Sequence, residues 1–439
     1  MKRSQLWAFM VLLAALCTAW AGSAGFSISD AEVNALYSQI EKIYMDLHAH
    51  PELSHHEVRT AAKMAEGLRA LGFEVTERVG GTGVVGLLRN GPGPVVMVRT
   101  ELDALPVEEK TGLPYASHVK AKNDEGIEVP VMHACGHDVH MSSWLGTARL
   151  LADNRQHWGG TVMMLGQPAE ETIAGAAGML KDGLYTRFPK PTCALAIHDT
   201  SDLPAGKVSY NTGFTTSNAD SVSITVYGKG GHGSAPETTI DPIVIGARIV
   251  VALQTLVSRE TTPGDFAVVT VGTFQAGTKN NIIPDEARLQ LTVRSYKPEV
   301  RKHLLAGINR IVKGEAQAGG AEKMPLVQEY EGANAVYNDP DVAERVMAAV
   351  RARLGEGNVT VTPPISASED FSEFGRDGVP TFMMWVGSAD PAAYAAAVKS
   401  GVPLPSPHSP LFAPDRERTL KTAILAETTA VLSMLGPGK

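Results

Sequence analysis

The chain has 439 residues, enough for about two domains with a sizeable core. Hydrophobic residues make up 44% and charged residues 20%, the composition of an ordinary globular protein and not of a disordered or fibrous one. A net charge of −8 argues against a nucleic-acid partner, and after the N-terminus no stretch reads as long and apolar enough to span a membrane.

At the N-terminus Lys2 and Arg3 precede an apolar run from Leu6 to Ala21, followed by Gly22, Ser23 and Ala24. A positive start, an apolar middle and a small-residue end describe a secretory signal peptide, residues 1–24, with cleavage expected after Ala21 or Ala24 and a periplasmic or secreted mature protein. Cys17 follows Leu16, where a lipoprotein signal needs a small residue, so no lipid anchor is expected. The mature chain keeps Cys135 and Cys193. An oxidising compartment would allow them a disulfide, but Cys135 is better explained as a metal thiolate and Cys193 as a small core residue.

The pattern is helical from Asp30 to Leu47 and again from His56 to Leu71, with the Pro51 loop between them. His48, His50, His55 and His56 read as solvated or loop-bracing. Three short apolar runs follow: Val95–Val98, Val162–Leu165 and Ala194–Ile197. Such runs are what strands buried on both faces look like. Each ends in polar residues: Arg99 to Asp103 after the first, Glu170 and Glu171 after the second, His198 and Asp199 after the third. A helix is expected from His137 to about Asp153. The alternation predicts an α/β domain with a mostly parallel sheet, in which ligands sit beyond the carboxyl ends of the strands.

Between residues 219 and 329 the period changes. Val222, Ile224 and Val226 alternate with polar neighbours. Ile245, Ile249, Leu253 and Leu256 step by three and four. Strands over 266–274 and 288–293, a helix opened by Pro298 and a last strand near 325–330 complete a β-α-β-β-α-β order. That order predicts a ferredoxin-like α+β lid inserted into a catalytic domain of residues 25–218 and 330–439. The α/β pattern then resumes with a helix over 339–354, a strand over 380–386, a Pro-rich loop over 403–410 that holds His408, and a helix over 416–435.

The segment His133-Ala134-Cys135-Gly136-His137-Asp138 concentrates chemistry. One glycine separates a thiol from an imidazole, a pair of borderline-soft donors that suits Zn²⁺. Glu170 and Glu171 project in different directions, so one can ligate a cation while its neighbour takes a proton from an activated water. His198 falls on the same rim. His408 lies between two prolines of a stiff loop. Glycines around His232 allow close approach to a ligand, and this His could donate to a developing oxyanion. Asn281 and Arg294 are polar groups of the same lid; Arg294 has the fork geometry that grips a carboxylate.

These residues, with His50-Pro51-Glu52-Leu53-Ser54, Asp103-Ala104-Leu105-Pro106, Gln167-Pro168-Ala169-Glu170-Glu171, Gly230-Gly231-His232, Asn281-Ile282-Ile283-Pro284-Asp285, Ser368-Glu369-Asp370-Phe371 and His408-Ser409-Pro410, resemble the zinc-peptidase-like amidohydrolases. That family includes hippurate hydrolases, N-acetyl-diaminopimelate deacetylases and auxin-conjugate amidohydrolases. The resemblance covers nearly all of the mature chain. It implies a phosphorylase/hydrolase-like α/β catalytic domain and two divalent cations, zinc first and manganese or cobalt as alternatives. The ligands it implies are Cys135 (bridging or flanking), His137, Glu171, His198 and His408. It further implies Glu170 as general base, Asp103 as the acid behind the site, His232 as a lid histidine that reaches the other subunit, Asn281 near the substrate carboxylate, and a homodimer formed through the lid.

Two positions depart from the family pattern. Glu101 stands where Asp is usual and is not carried over as a ligand. Asp199-Thr200-Ser201 replaces the usual apolar residues after His198. The expected activity is cleavage of the amide of an N-acyl-amino acid or small peptide with a free carboxylate. The alternatives are a hydrolase with Cys135 as nucleophile, or a metal-binding scaffold without catalysis.

Overall fold

The computed structural model describes residues 26–438; the expected signal peptide lies outside the described residues. The first helix, Asp30–Ala49, begins at Ser29, whose hydroxyl and backbone N exchange hydrogen bonds with Glu32. This is the reciprocal cap that satisfies orphan N–H groups at a helix start.

Among the described residues the main sheet has eleven strands. Its centre is four parallel strands in the order Trp158–Gln167, Val95–Glu101, Cys193–Pro204, Thr381–Ala389. An antiparallel pair, Glu74–Val79 and Gly83–Asn90, extends one side. Nothing in the sequence marks that pair, because its apolar residues are crowded at Val84–Leu88 without a clear period.

Side-chain alternation sorts each central strand onto two cores. Val96, Val98, Val162, Met164, Leu195, Ile197, Phe382 and Met384 join the helices Asp30–Ala49, His137–Asp153, Pro340–Leu354 and Arg416–Met434 on one face. Met97, Met163, Leu165, Ala194, Ala196 and Met383 meet Met179, Phe371 and Phe374 on the other. With both faces covered, the strands read as unbroken apolar runs.

A second sheet is wholly antiparallel, in the order Ala267–Ala276, Glu286–Ser295, Asp220–Tyr227, Leu326–Glu331. Helices Pro242–Arg259 and Pro298–Ala318 pack on it around a separate core that includes Val222, Ile249, Leu253, Leu289, Leu304 and Ile308. This is the β-α-β-β-α-β lid. One expectation needs correction: Pro242–Arg259 is, by length and composition, long and apolar enough to cross a membrane. Its Ile245, Ile249, Leu253 and Leu256 are instead buried against the lid sheet. The lid joins the main body where Arg301 grips Asp220 at 2.8 and 2.5 Å and reaches Asn334 at 2.8 Å, while Asn218 and Ser295 exchange backbone and side-chain hydrogen bonds.

Candidate metal centre

Each expected ligand sits at the carboxyl edge of the parallel strands or on a loop beside it. Gly136 caps the helix His137–Asp153 with φ +79°, a left-handed conformation that glycine adopts freely. The turn sends Cys135 and His137 to the same side. Glu170 and Glu171 leave the strand Trp158–Gln167 through Pro168 and Ala169, the latter at φ +52°. His198 lies within the strand Cys193–Pro204, with Trp385 of the neighbouring strand tilted against it at 5.4 Å. His408 arrives on the Pro-rich loop at φ +70°, its backbone N donating to Ala134 O at 2.7 Å.

All five side chains converge. Cys135 Sγ is 3.5 Å from His198 Nε2 and 3.3 Å from His408 Nε2. His408 Nε2 is 3.6 Å from Glu171 Oε2, and His137 Nε2 is 3.9 Å from both Glu170 and Glu171. Two donor groups share the thiol: Cys135 with His137 and His198, and Cys135 with Glu171 and His408, with the donor atoms of each group within 4.8 Å of one another. His137 Nε2 and Glu171 Oε1 are buried without a hydrogen-bond partner. Orphaned donor atoms of this kind call for another partner, and thiolate, imidazole and carboxylate around one point fit divalent cations.

Electrostatics agree. Burial and the nearby Glu171 and Glu170 push the Cys135 thiol well above its ordinary value, so without cations it is no thiolate. Burial and His140 pull His198 down to about 4, and burial lowers His408 too, which leaves both imidazoles neutral and able to ligate. Burial works against a charge on His137, yet Asp103 and Glu101 outweigh it and hold that group up at about 10. A cation there would replace a proton. Burial raises Glu170 well above the usual carboxylate range, reinforced by Glu369 and Glu171, and raises Glu171 to about 7.

Behind these donor groups lies a second layer. His137 Nδ1 donates to Asp103 O at 2.8 Å, and Asp103 Oδ2 accepts from Ser54 Oγ at 2.6 Å and Glu171 N at 3.0 Å. Asp103 therefore ties two of the expected ligands together and sets which His137 nitrogen faces the site. Arg99, fully buried, is paired with Glu101, Glu369 and Asp370. His48, read as a surface histidine, is buried between Asp138 Oδ2 at 2.6 Å and Glu109 Oε1 at 3.0 Å. The clue was available: it falls one turn after Tyr44 on the face that buries Ile40, Tyr44 and Leu47.

A cavity of about 820 Å³ opens over the donor groups. Glu170, Glu369, Trp385 and Ile365 line its floor and side, and Ser221, Arg294 and Tyr330 line it from the lid. Arg294 thus reaches the cleft. His232 and Asn281 do not. They sit together on an exposed two-stranded ribbon of the lid, where Gly233 N donates to Asn281 O at 2.9 Å, and His232 Nδ1 is taken up by Ser234.

The family model for peptidase family M20/M25/M40 matches residues 97–403. The chain belongs to that family. It is 38% identical over 348 residues to a hippurate hydrolase of Campylobacter jejuni, across 78% of this chain and 86% of that one. It is also 38% identical to thermostable carboxypeptidase 1 of Saccharolobus solfataricus, across 78% of this chain and 84% of the relative. Among solved structures it is similar to the YXEP protein of Bacillus subtilis, described as a dinuclear metal-binding peptidase, with TM-score 0.73 and 30% identity over 91% of this chain and 98% of that one. The protein is a metal-dependent hydrolase of amide bonds, and its donor clusters correspond to a two-cation site.

Proposed function

We propose that this family member is an exported, zinc-loaded amidohydrolase that cleaves N-acyl-amino acids or small peptides with a free carboxylate, and that it works as a homodimer. The observation that carries the reading is the Cys135 thiol set between His198 and His408, with Glu171 and His137 closing the two donor groups. A thiolate with imidazoles favours zinc over magnesium or calcium; manganese and cobalt suit the same imidazole and carboxylate donors.

Bound cations would polarise the scissile carbonyl and lower the pKa of water. The chain supplies the rest. Glu170, buried beside that point and with a raised affinity for protons, takes the water proton at its carboxylate and delivers it to the leaving nitrogen. Arg294, on the lid wall of the cavity, pairs with the substrate carboxylate and fixes the amide over the ligands. His232 donates to the oxyanion from the lid of a second copy, with Asn281 beside it. Support for the dimer comes from the lid's outer surface: Val244, Val251, Phe274 and Ile282 are exposed, and the strand Ala267–Ala276 is a sheet edge. The N-terminal pattern of residues 1–24 supports export.

The test is turnover of hippurate by purified protein before and after chelation, then after adding back Zn²⁺, Mn²⁺ or Co²⁺. Activity should vanish and return with the cation. Hydrolysis that survives the chelator would instead favour Cys135 as a nucleophile. That alternative has the thiol poorly placed, since burial and two carboxylates disfavour its ionised form.

A further inference from the structure

Below the ligands, four buried side chains of alternating charge run in a line: Arg99, Glu101, His140 and Asp199. Arg99 pairs with Glu101 and donates to Gln167 at 2.9 Å. Glu101 Oε2 is 3.0 Å from His140 Nδ1, and His140 Nε2 is 3.1 Å from Asp199 Oδ1 and 2.9 Å from Asp199 N. An imidazolium donates to both carboxylates; a neutral ring protonated at Nδ1 accepts from Asp199 N. In either form His140 is tied to residue 199.

Asp199 then touches the metal ligands in two ways. Its backbone O accepts from His198 Nδ1 at 2.7 Å, which turns Nε2 toward Cys135. Its carboxylate lies against Gly136, the residue between Cys135 and His137, so closely that a Cβ there would stand 2.1 Å from Oδ1. The line therefore braces Cys135, His137 and His198 together. The other donor group shares Cys135 with this one, but its remaining members lie outside the line: Glu171 has its backbone N held by Asp103 at 3.0 Å. His408 has a side chain 57% exposed, and its described hydrogen bonds are those of its backbone N and Nε2.

We infer that Glu101, His140 and Asp199 are positioning residues for one cation of the pair, the one held by Cys135, His137 and His198, and that they set its affinity separately from that of the cation at Cys135, Glu171 and His408. The inference rests on the two-cation reading. Packing alone would not call for such residues, because well-packed apolar side chains usually match or exceed a buried ion pair in stability. Partners of this kind behind a metal ligand, by contrast, typically change metal affinity about 10–100-fold when removed.

The experiment is titration of metal-free protein with Zn²⁺ against a chromophoric chelator, alongside the melting temperature of each metal-free variant. Wild type should take up two cations in two steps. His140→Ala should weaken one step about 10–100-fold and leave the other in place. Glu101→Gln keeps the shape and an acceptor for Nδ1 while removing the charge, so it should fold even where His140→Ala does not, with a smaller loss in the same step. Asp199→Asn, which keeps the carbonyl to His198 and an acceptor oxygen, should partly preserve that step where Asp199→Ala does not. Folded variants with both steps unchanged, or with both weakened alike, would overturn the inference. Uptake of fewer than two cations by wild type would take down the dinuclear reading and this inference with it.

Discussion

Glu170 and Glu171 are neighbours in sequence with separate surroundings. Glu171 is drawn toward His408 and has its backbone N held by Asp103, whereas Glu170 lies near Glu369 and the buried Arg99. Glu170→Gln keeps the volume but cannot accept a proton, so kcat should fall by at least the 10²–10⁴-fold (order of magnitude) typical of a lost general base. Metal analysis should still find both cations. Glu171→Gln should lose a cation as well as rate, and the contrast between the two variants separates base from ligand. Gly136→Ala tests the local geometry. The left-handed conformation alone costs about 1–2 kcal/mol in a non-glycine residue, and the new methyl would collide with Asp199. Its unfolding midpoint and its metal content should both fall; a variant that melts like wild type would show that the Cys135–His137 turn tolerates a side chain. At this scale the convergence of Cys135, His137, Glu171 and His198 was legible, because they follow apolar runs or a helix start that announce a sheet edge. Glu101 and His140 were not. A His three residues after His137 looks like any helical His, and only the tertiary fold places it between two carboxylates.

At the scale of elements, the helices show what a period can and cannot reveal. The helix Arg416–Met434 was readable, but its burial on nearly all sides was not, and it carries Glu427 into the interior against His137–Asp153. Burial pushes that carboxyl up to about 8, offset only in part by the Thr147 hydroxyl. In the unfolded chain the group returns to the ordinary carboxylate range, near 4.5. Between those values the folded protein binds a proton that the unfolded chain releases. The contribution of this one group to stability therefore falls as pH rises from about 4.5 to about 8 and levels off above. Glu427→Gln cannot ionise, so its stability relative to wild type should rise across that window. Urea unfolding at pH 5, 6.5 and 8 would show the gap widening, and a constant gap would mean that the acid does not hold its proton in the fold. The helix Pro391–Ser400 was missed altogether. Its run of alanines has high helix propensity, but the element buries no residue, so no apolar stripe marks it. The segment it opens leads straight to His408, whose side chain is more than half exposed.

The whole molecule is a cleft between two sheets, with cation donors on one wall and Arg294 on the other. The two-unit division was legible because the apolar period switches from continuous runs to alternation at Val222 and back after Gly332. The lid ribbon that holds His232 stands outside the cavity of its own copy, so a part for His232 in the chemistry requires a second copy. A dimer that swaps this group between copies makes a specific prediction. His232→Ala should lower kcat by ~10²–10³, the usual cost of one oxyanion donor, and Glu170→Gln should be inactive. When the two variants are unfolded together and refolded, the mixed dimer contains one cleft with an intact Glu170 from one copy and an intact His232 from the other. That cleft should work, so the mixture should regain activity that neither variant shows alone. A Val251→Glu change on the exposed face of Pro242–Arg259 should reduce the recovery if that face forms the dimer, because a buried unpaired carboxylate opposes association. A mixture no more active than its parts, with mixed dimers present by mass, would mean that His232 serves no cleft in trans, and the oxyanion would have to be stabilised by groups already lining the cavity.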